Sequence, residues 1–145
     1  MDFTVDGRFA VASCEFSAQL LYINVRTRQV VAAMRTGMAT DMMRIPGGSM
    51  PQDVRLSPDG KIFYVAGMIA NGVWLIGAAN FRKMGFIHTG LGAHGLLISR
   101  DARHVFVSNR NEGSVSVIST ARLACSSGRT QPKPGSPGAG GFRCG

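Results

Sequence analysis

The sequence predicts an all-β fold built from repeated units, and three observations carry that prediction. Three segments, beginning at Phe3, Leu56 and Ile98, align with one another without a gap. The interval from a turn aspartate to a strand isoleucine (Asp6 to Ile23, Asp59 to Ile76, Asp101 to Ile118) is 17 residues each time. Within each unit, short β-branched and aromatic runs are separated by turn residues, with no stretch of helical period. Four short antiparallel strands per roughly 40 residues is the period of a propeller blade. The expected fold is therefore a partial β-propeller of about three four-stranded antiparallel blades, followed by a disordered C-terminal tail.

Taken in order, the first unit (near residues 2–35) opens with the turn Asp6-Gly7-Arg8 and reaches the strand Leu21-Tyr22-Ile23. Asp2 aligns with Arg55, so most of this unit's first strand is expected to be missing. Residues 36–48 form an insertion loop, since the first repeat interval is 53 residues and the second 42. Met34, Met38, Met42 and Met43 have the spacing of a helix face or a soft-metal box, but Gly37, Pro46, Gly47 and Gly48 beside them favour a loop packed on the blades. The second unit (near 50–88) alternates through Asp53-Val54-Arg55-Leu56-Ser57 and turns at Pro58-Asp59-Gly60-Lys61. There Pro fixes φ, Asp bonds its own backbone, and Gly accepts a positive φ. Ile62 to Ala66, Val73 to Ile76 and Lys83 to Ile87 supply three more strands. The third unit (near 92–121) repeats the pattern as Gly95 to Ile98, His104 to Val107 and Val115 to Ile118. Residues 122–145 hold six Gly and three Pro, and neither a strand nor an amphipathic helix can be written through them. A frameshifted ending and a natural flexible linker both account for that composition. The chain thus divides into a repeat region, 1–121, and a Gly/Pro/Ser-rich tail, 122–145.

Val54-Arg55-Leu56-Ser57-Pro58-Asp59-Gly60-Lys61-Ile62-Phe63-Tyr64-Val65, and Val105-Phe106-Val107-Ser108-Asn109 leading to Val115-Ser116-Val117-Ile118, resemble the bacterial YVTN-type β-propeller repeat. Phe106-Val107-Ser108-Asn109 stands where the motif that names that family would be. The resemblance implies blades rather than a particular site. Members of that family are frequently exported or periplasmic, although Met1 to Gly7 lacks the basic and apolar segments of a signal peptide. The resemblance also implies relatives among lactonase-like hydrolases and quinone-cofactor propeller enzymes, whose sites lie near the propeller axis.

Charge and composition exclude several other classes. The net charge is +8, but four of the cations (Arg122, Arg129, Lys133, Arg143) lie in the tail, and residues 1–121 hold 12 basic against 8 acidic residues. Those cations are scattered along the sequence, which fits a solvated surface better than a specific nucleic-acid groove. No apolar run approaches the roughly 20 residues that span a bilayer. Cys14, Cys125 and Cys144 form no CxxC pair, and His88, His94 and His104 form no local ligand set, so no metal site is expected. Gly90-Leu91-Gly92-Ala93-His94-Gly95 satisfies a dinucleotide fingerprint on paper, yet it leads into another strand rather than a helix, and no cofactor is expected.

The candidate ligand-binding residues are Gln52, Asp53, His94, Asn109 and Arg110. Gln52 and His94 align at the 42-residue offset and lead into the innermost strand of a blade, close to the axis that the resemblance implies. For Gln52, Asp53 and His94 alike, a structural role such as a hydrogen bond to the neighbouring blade is the stronger reading. Asn109 and Arg110 open a loop, where contact residues concentrate, although an ordinary polar hairpin loop is the stronger reading. Asp59 and Asp101 are explained as turn residues, and Trp74 and Tyr22 as sheet-packing aromatics. No catalytic residue is assigned. The expected function is a non-catalytic binding or scaffold module, a fragment of a larger propeller, acting on an unknown protein or small-molecule ligand. The alternative is a remnant of a lactonase-like or quinone-cofactor enzyme. Open blade edges would also allow self-association.

Overall fold

The computed structural model describes residues 1–37 and 49–121. Met38, Met42 and Met43 of the expected insertion, the tail 122–145, and Cys125 and Cys144 lie outside the described residues. Eleven strands follow one another: β1 (Asp2–Phe3), β2 (Phe9–Cys14), β3 (Gln19–Asn24), β4 (Gln29–Arg35), β5 (Pro51–Leu56), β6 (Ile62–Gly67), β7 (Gly72–Gly77), β8 (Lys83–His88), β9 (Ala93–Ile98), β10 (His104–Asn109) and β11 (Ser114–Ser119). They form three antiparallel sheets, β1-β2-β3-β4, β5-β6-β7-β8 and β9-β10-β11. Each is a blade in which chain order equals spatial order. Among the described residues the third blade has three strands, where four were expected per blade.

The repeat seen in the sequence is a repeat of strand register. Phe3 pairs with Ala10, Leu56 with Phe63 and Ile98 with Val105. One strand further out, Ala10 pairs with Ile23, Phe63 with Ile76 and Val105 with Ile118. The constant interval of 17 is thus the length of a turn, a strand, a second turn and most of a strand.

Left-handed backbone recurs in the same register. Gly7, Gly60 and Ala102 have φ of 65°, 72° and 60° in the first turn, and Ala18, Asn71 and Gly113 have 52°, 53° and 65° in the second. In the first turn a hydroxyl donates to the aspartate two residues on, from Thr4 to Asp6 (2.6 Å), Ser57 to Asp59 (2.6 Å) and Ser99 to Asp101 (2.5 Å). The same carboxylates accept the backbone N–H of Arg8, Lys61 and Arg103. These hydroxyl contacts are the first cause of the lowered pKa of all three carboxyls.

The core lies between blades. One cluster joins Val11 and Leu20 of the first blade to Val54, Phe63, Val65, Trp74 and Ile76 of the second, with Met34 packed against it. The other joins Tyr64, Ala66, Val73 and Leu75 of the second blade to Leu96, Val105, Val107 and Ile118 of the third. Alternating side chains of one strand therefore enter different cores, which is why every residue of β7 is buried. Tyr22 stacks between Phe9 and Phe81, with ring centroids 4.7 Å and 5.0 Å away, while Trp74 packs on Phe86. Both aromatics join sheets, as expected.

Candidate functional site

The inner strands β1, β5 and β9 lie side by side across the three blades. Gln52 and Asp53 sit near the start of β5, His94 near the start of β9, Asn109 at the end of β10 and Arg110 in the turn after it. Antiparallel order brings all five to one end of the blades, the end where the blade-to-blade links run.

Asp53 is held on three sides. Its Oδ2 accepts the Leu96 N–H of the next blade at 3.0 Å and meets the Arg55 guanidinium at 3.3 Å, and its Oδ1 accepts its own strand's Val54 N–H at 2.9 Å. Residues two apart on a strand share a face, so Arg55 reaches the same neighbour and donates through Nε to the Leu96 carbonyl at 3.3 Å. Together they clamp β5 onto β9. Between the first two blades Asp2 does similar work, its Oδ2 accepting the Leu56 N–H at 2.7 Å. Ser13 of the first blade donates to the Gln52 carbonyl at 2.5 Å, and the Gln52 side chain donates weakly to the Met50 carbonyl at 3.4 Å.

Asn109 is 1% exposed, so it cannot touch a ligand directly in this conformation. Its Nδ2 donates to Ser114 and Ser116, both at 2.9 Å, while its buried Oδ1 has no partner among the described residues. Ser116 in turn accepts the Gly90 N–H. The Gly90–Gly92 stretch is pinned further by Asn71, whose Oδ1 accepts the Gly92 N–H at 2.8 Å, and by Glu112, which accepts the Leu91 N–H at 2.7 Å. The Ser114 hydroxyl also donates to Glu112 and is the first cause of its lowered carboxyl pKa. The fingerprint-like string is thus a rigid link between blades, followed by the strand β9.

His94 is half-buried, and its ring makes no hydrogen bond to a described residue. It stands between the Ala93–Asn109 pair and the Asp53 contact at Leu96. Arg110 is exposed, and its backbone N–H donates to the Gly92 carbonyl at 2.8 Å. Gln52, His94 and Arg110 therefore keep side chains at this end, whereas Asp53 and Asn109 are engaged inside the protein. Sequence reasoning missed Asp2 and Arg55. The two-residue spacing of Asp53 and Arg55 was the available sign of the second; nothing local marks Asp2 as reaching across blades.

Two concave surfaces among the described residues lie at the opposite end. A cleft of about 450 Å³ is lined by Thr4, Asp6, Phe9, Tyr22, Gly60 and Ala78, and one of about 500 Å³ by Ser57, Asp59, Ile62, Tyr64, Ala102 and Thr120. Thr4, Asp6, Phe9, Gly60 and Ala78 correspond in register to Ser57, Asp59, Ile62, Ala102 and Thr120. The same groove is therefore produced at each blade junction by the repeat itself. Six of the exposed cations that looked scattered in the sequence also gather at this end: Arg8, Lys61 and Arg103 occupy one register position, with Arg26, Arg28 and Arg82 on adjacent turns, whereas Arg35 and Arg110 lie at the other end. Among the described residues no group of three His, Cys, Asp or Glu side chains is placed to hold a metal ion, and no helix is long and apolar enough to cross a membrane.

Solved structures share this architecture. A candidate 6-phosphogluconolactonase of Bacteroides fragilis superposes with a TM-score of 0.68 at 18% identity, over 81% of this chain and 33% of that one. The periplasmic gluconolactonase of Pseudomonas aeruginosa gives 0.66 at 20% identity, over 81% and 34%. The hydrazine synthase of Kuenenia stuttgartiensis gives 0.69 at 20%, over 83% and 32%. The chain spans about a third of the length of each, and at such identities the likeness is one of fold. No curated protein sequence matches the chain. A family model for YNCE-like β-propellers matches residues 16–141, from the turn after β2 through much of the Gly/Pro-rich tail. With three blades in one repeated register and that match over most of its length, the chain belongs to the YNCE-like β-propeller family.

Proposed function

We propose that the chain is a non-catalytic binding module, part of a larger propeller, that contacts its ligand through the blade end bearing Gln52, His94 and Arg110. The observation that carries this reading is the commitment of Asp53. Its carboxylate is occupied by Arg55 and by the Leu96 and Val54 N–H groups, and a general base needs a free lone pair within reach of the substrate proton. Coverage of about a third of the similar propellers supports the reading of the chain as a part.

The second reading, a remnant of a lactonase-like hydrolase, is favoured by the names of two similar structures, a candidate 6-phosphogluconolactonase and a gluconolactonase. Both readings meet one experiment. The nitrogen-labelled chain is titrated with gluconolactone and with gluconate while lactone hydrolysis is followed in parallel. The binding-module reading expects amide shifts confined to the surroundings of Gln52, His94 and Arg110, with hydrolysis at the uncatalysed rate. Accelerated hydrolysis that disappears in His94→Ala would establish the enzymatic reading instead. Saturable shifts confined to the groove end would place the ligand elsewhere and overturn the proposed contact residues.

A further inference from the structure

The end of the stack opposite Gln52, His94 and Arg110 carries an excess of positive charge. Arg100 joins the six cations already placed there, making seven, and all are exposed. The carboxylates in the same turns are Asp6, Asp59 and Asp101, and each already accepts a hydroxyl and a backbone N–H of its own turn. Among the described residues only Lys61 of the seven meets a carboxylate, Asp59 at 3.7 Å. At the other end the described turns hold Glu15, Glu112 and Arg110, with Arg35 beside them, and no excess forms.

The two grooves at this end run between those cations. Arg8 lies over the ring of Phe9, 5.8 Å from its centroid, on one wall of the first groove. Arg82 belongs to the turn that carries Ala78 and Ala79 on the other wall. Lys61 stands between the grooves, since Gly60 lines the first and Asp59 the second, and Arg103 follows Ala102 of the second. The floors are apolar, Phe9 with Tyr22 in one and Ile62 with Tyr64 in the other. Val5, at the lip of the first, is 79% exposed. Both walls of each groove belong to blades of this chain, so further blades beside the first or the third leave them open.

We propose that these grooves dock an extended acidic segment of a partner protein, its carboxylates meeting Arg8, Lys61, Arg82 and Arg103 while its apolar side chains enter the grooves. Charge selects that occupant. The tail 122–145 holds four cations and no acid, and a second copy brings a net charge of +8, so like-charge repulsion opposes both. Single-stranded nucleic acid has the required charge, but it is held by bases stacking on exposed aromatics. Here Tyr22 is already stacked between Phe9 and Phe81, and Tyr64 is 2% exposed. A bare phosphate is suited to converging backbone N–H groups, and those of Arg8, Lys61 and Arg103 are taken by the turn aspartates. An acidic peptide uses both features of the surface. Carboxylates form charge-assisted bonds with guanidinium and ammonium groups, and an extended chain sets alternate side chains on one side, where they can enter a groove.

The probe is a fluorescent peptide of Glu-Leu-Glu-Ser repeated three times. Its Leu side chains fall ~13 Å apart in an extended chain, near the ~10 Å between packed sheets. Anisotropy is followed as the full 145-residue chain is added to about 500 μM at about 0.1 M salt. Saturable binding is expected, about tenfold tighter or more than for the same peptide with Ser in place of each Leu. Lys61→Glu should weaken it about tenfold or more, and Arg35→Glu, the same change of charge at the other end, by less than about twofold. Amide shifts of the nitrogen-labelled chain should fall around Arg8, Lys61 and Arg82 and leave Gln52, His94 and Arg110 unmoved, so the result is read apart from the gluconate titration. No saturation, equal binding of the Leu-free peptide, or equal losses in Lys61→Glu and Arg35→Glu overturns the proposal. So does tighter binding of single-stranded thymidine DNA of about 12 nucleotides, which would mark the surface as a nucleic-acid site. Should Lys61→Glu misfold by circular dichroism, Arg82→Glu on the outer turn takes its place under the same expectations.

Discussion

At the scale of single residues, most of the polar chemistry of this chain is spent on turns. Asp6, Asp59 and Asp101 each accept a hydroxyl and a backbone N–H from their own turn, and each carboxyl has a lowered pKa for that reason. A carboxyl whose folded pKa is depressed stabilises the fold fully above its unfolded value, about 3.9, and that contribution is lost as pH falls through the folded pKa. Chemical denaturation as a function of pH is therefore expected to show stability falling below about pH 4, with a shallower acid limb in Asp59→Asn. Ala102 offers a test of opposite sign. It holds φ of 60° where Gly7 and Gly60 stand in the other blades, and an L side chain there is strained. Ala102→Gly should raise stability by about 0.5–1 kcal/mol in urea titrations. Gly60→Ala should lower it by at least that much, because a Cβ would lie 2.5 Å from Val5 Cγ2. The aspartate turns were legible in the sequence because their partners are two residues away. The reach of Asp2 to Leu56 was not, because nothing within one strand records which neighbouring blade it touches.

At the scale of strands and blades, burial follows position in the stack rather than residue type. Val73 and Val115 are the same amino acid in the same register, one fully buried and the other 62% exposed. Val73→Ala should cost about 1–3 kcal/mol as a core truncation, and Val115→Ala about 0.5 kcal/mol or less. Thermal unfolding of the two variants beside the parent chain checks the contrast directly. The Asp53 clamp makes a further prediction at this scale. Asp53→Ala leaves the Leu96 N–H and the Arg55 guanidinium without their acceptor, so it should cost about 1–3 kcal/mol. The accompanying rise in hydrogen exchange is expected in β9 more than in β2, because β9 is the strand Asp53 ties down. If gluconate binding survives this substitution while His94→Ala removes it, the division between structural and contact residues drawn above holds.

At the scale of the whole molecule, the chain alone determined a good deal. Three units in one register, their turn residues and the number of strands in the first two blades were all present in the spacing of Asp, Gly and β-branched residues. That information is local: a turn needs a positive φ, a strand needs alternating side chains, and both are written within about 20 residues, the span of two short strands and their turns. The family match over residues 16–141 agrees with this reading. Which residues are committed and which are free was decided only by packing between blades. Asp53, for which a bond to the neighbouring blade was the stronger reading, holds β9; Asn109, expected to open a loop, ends β10 and is buried; six cations far apart in sequence gather at one end of the stack. The physical reason is that each sheet has two faces and every second side chain enters a different junction. The sequence specifies the alternation, whereas the neighbour beyond each face, and so the surface left for a partner, belongs to the assembled stack alone.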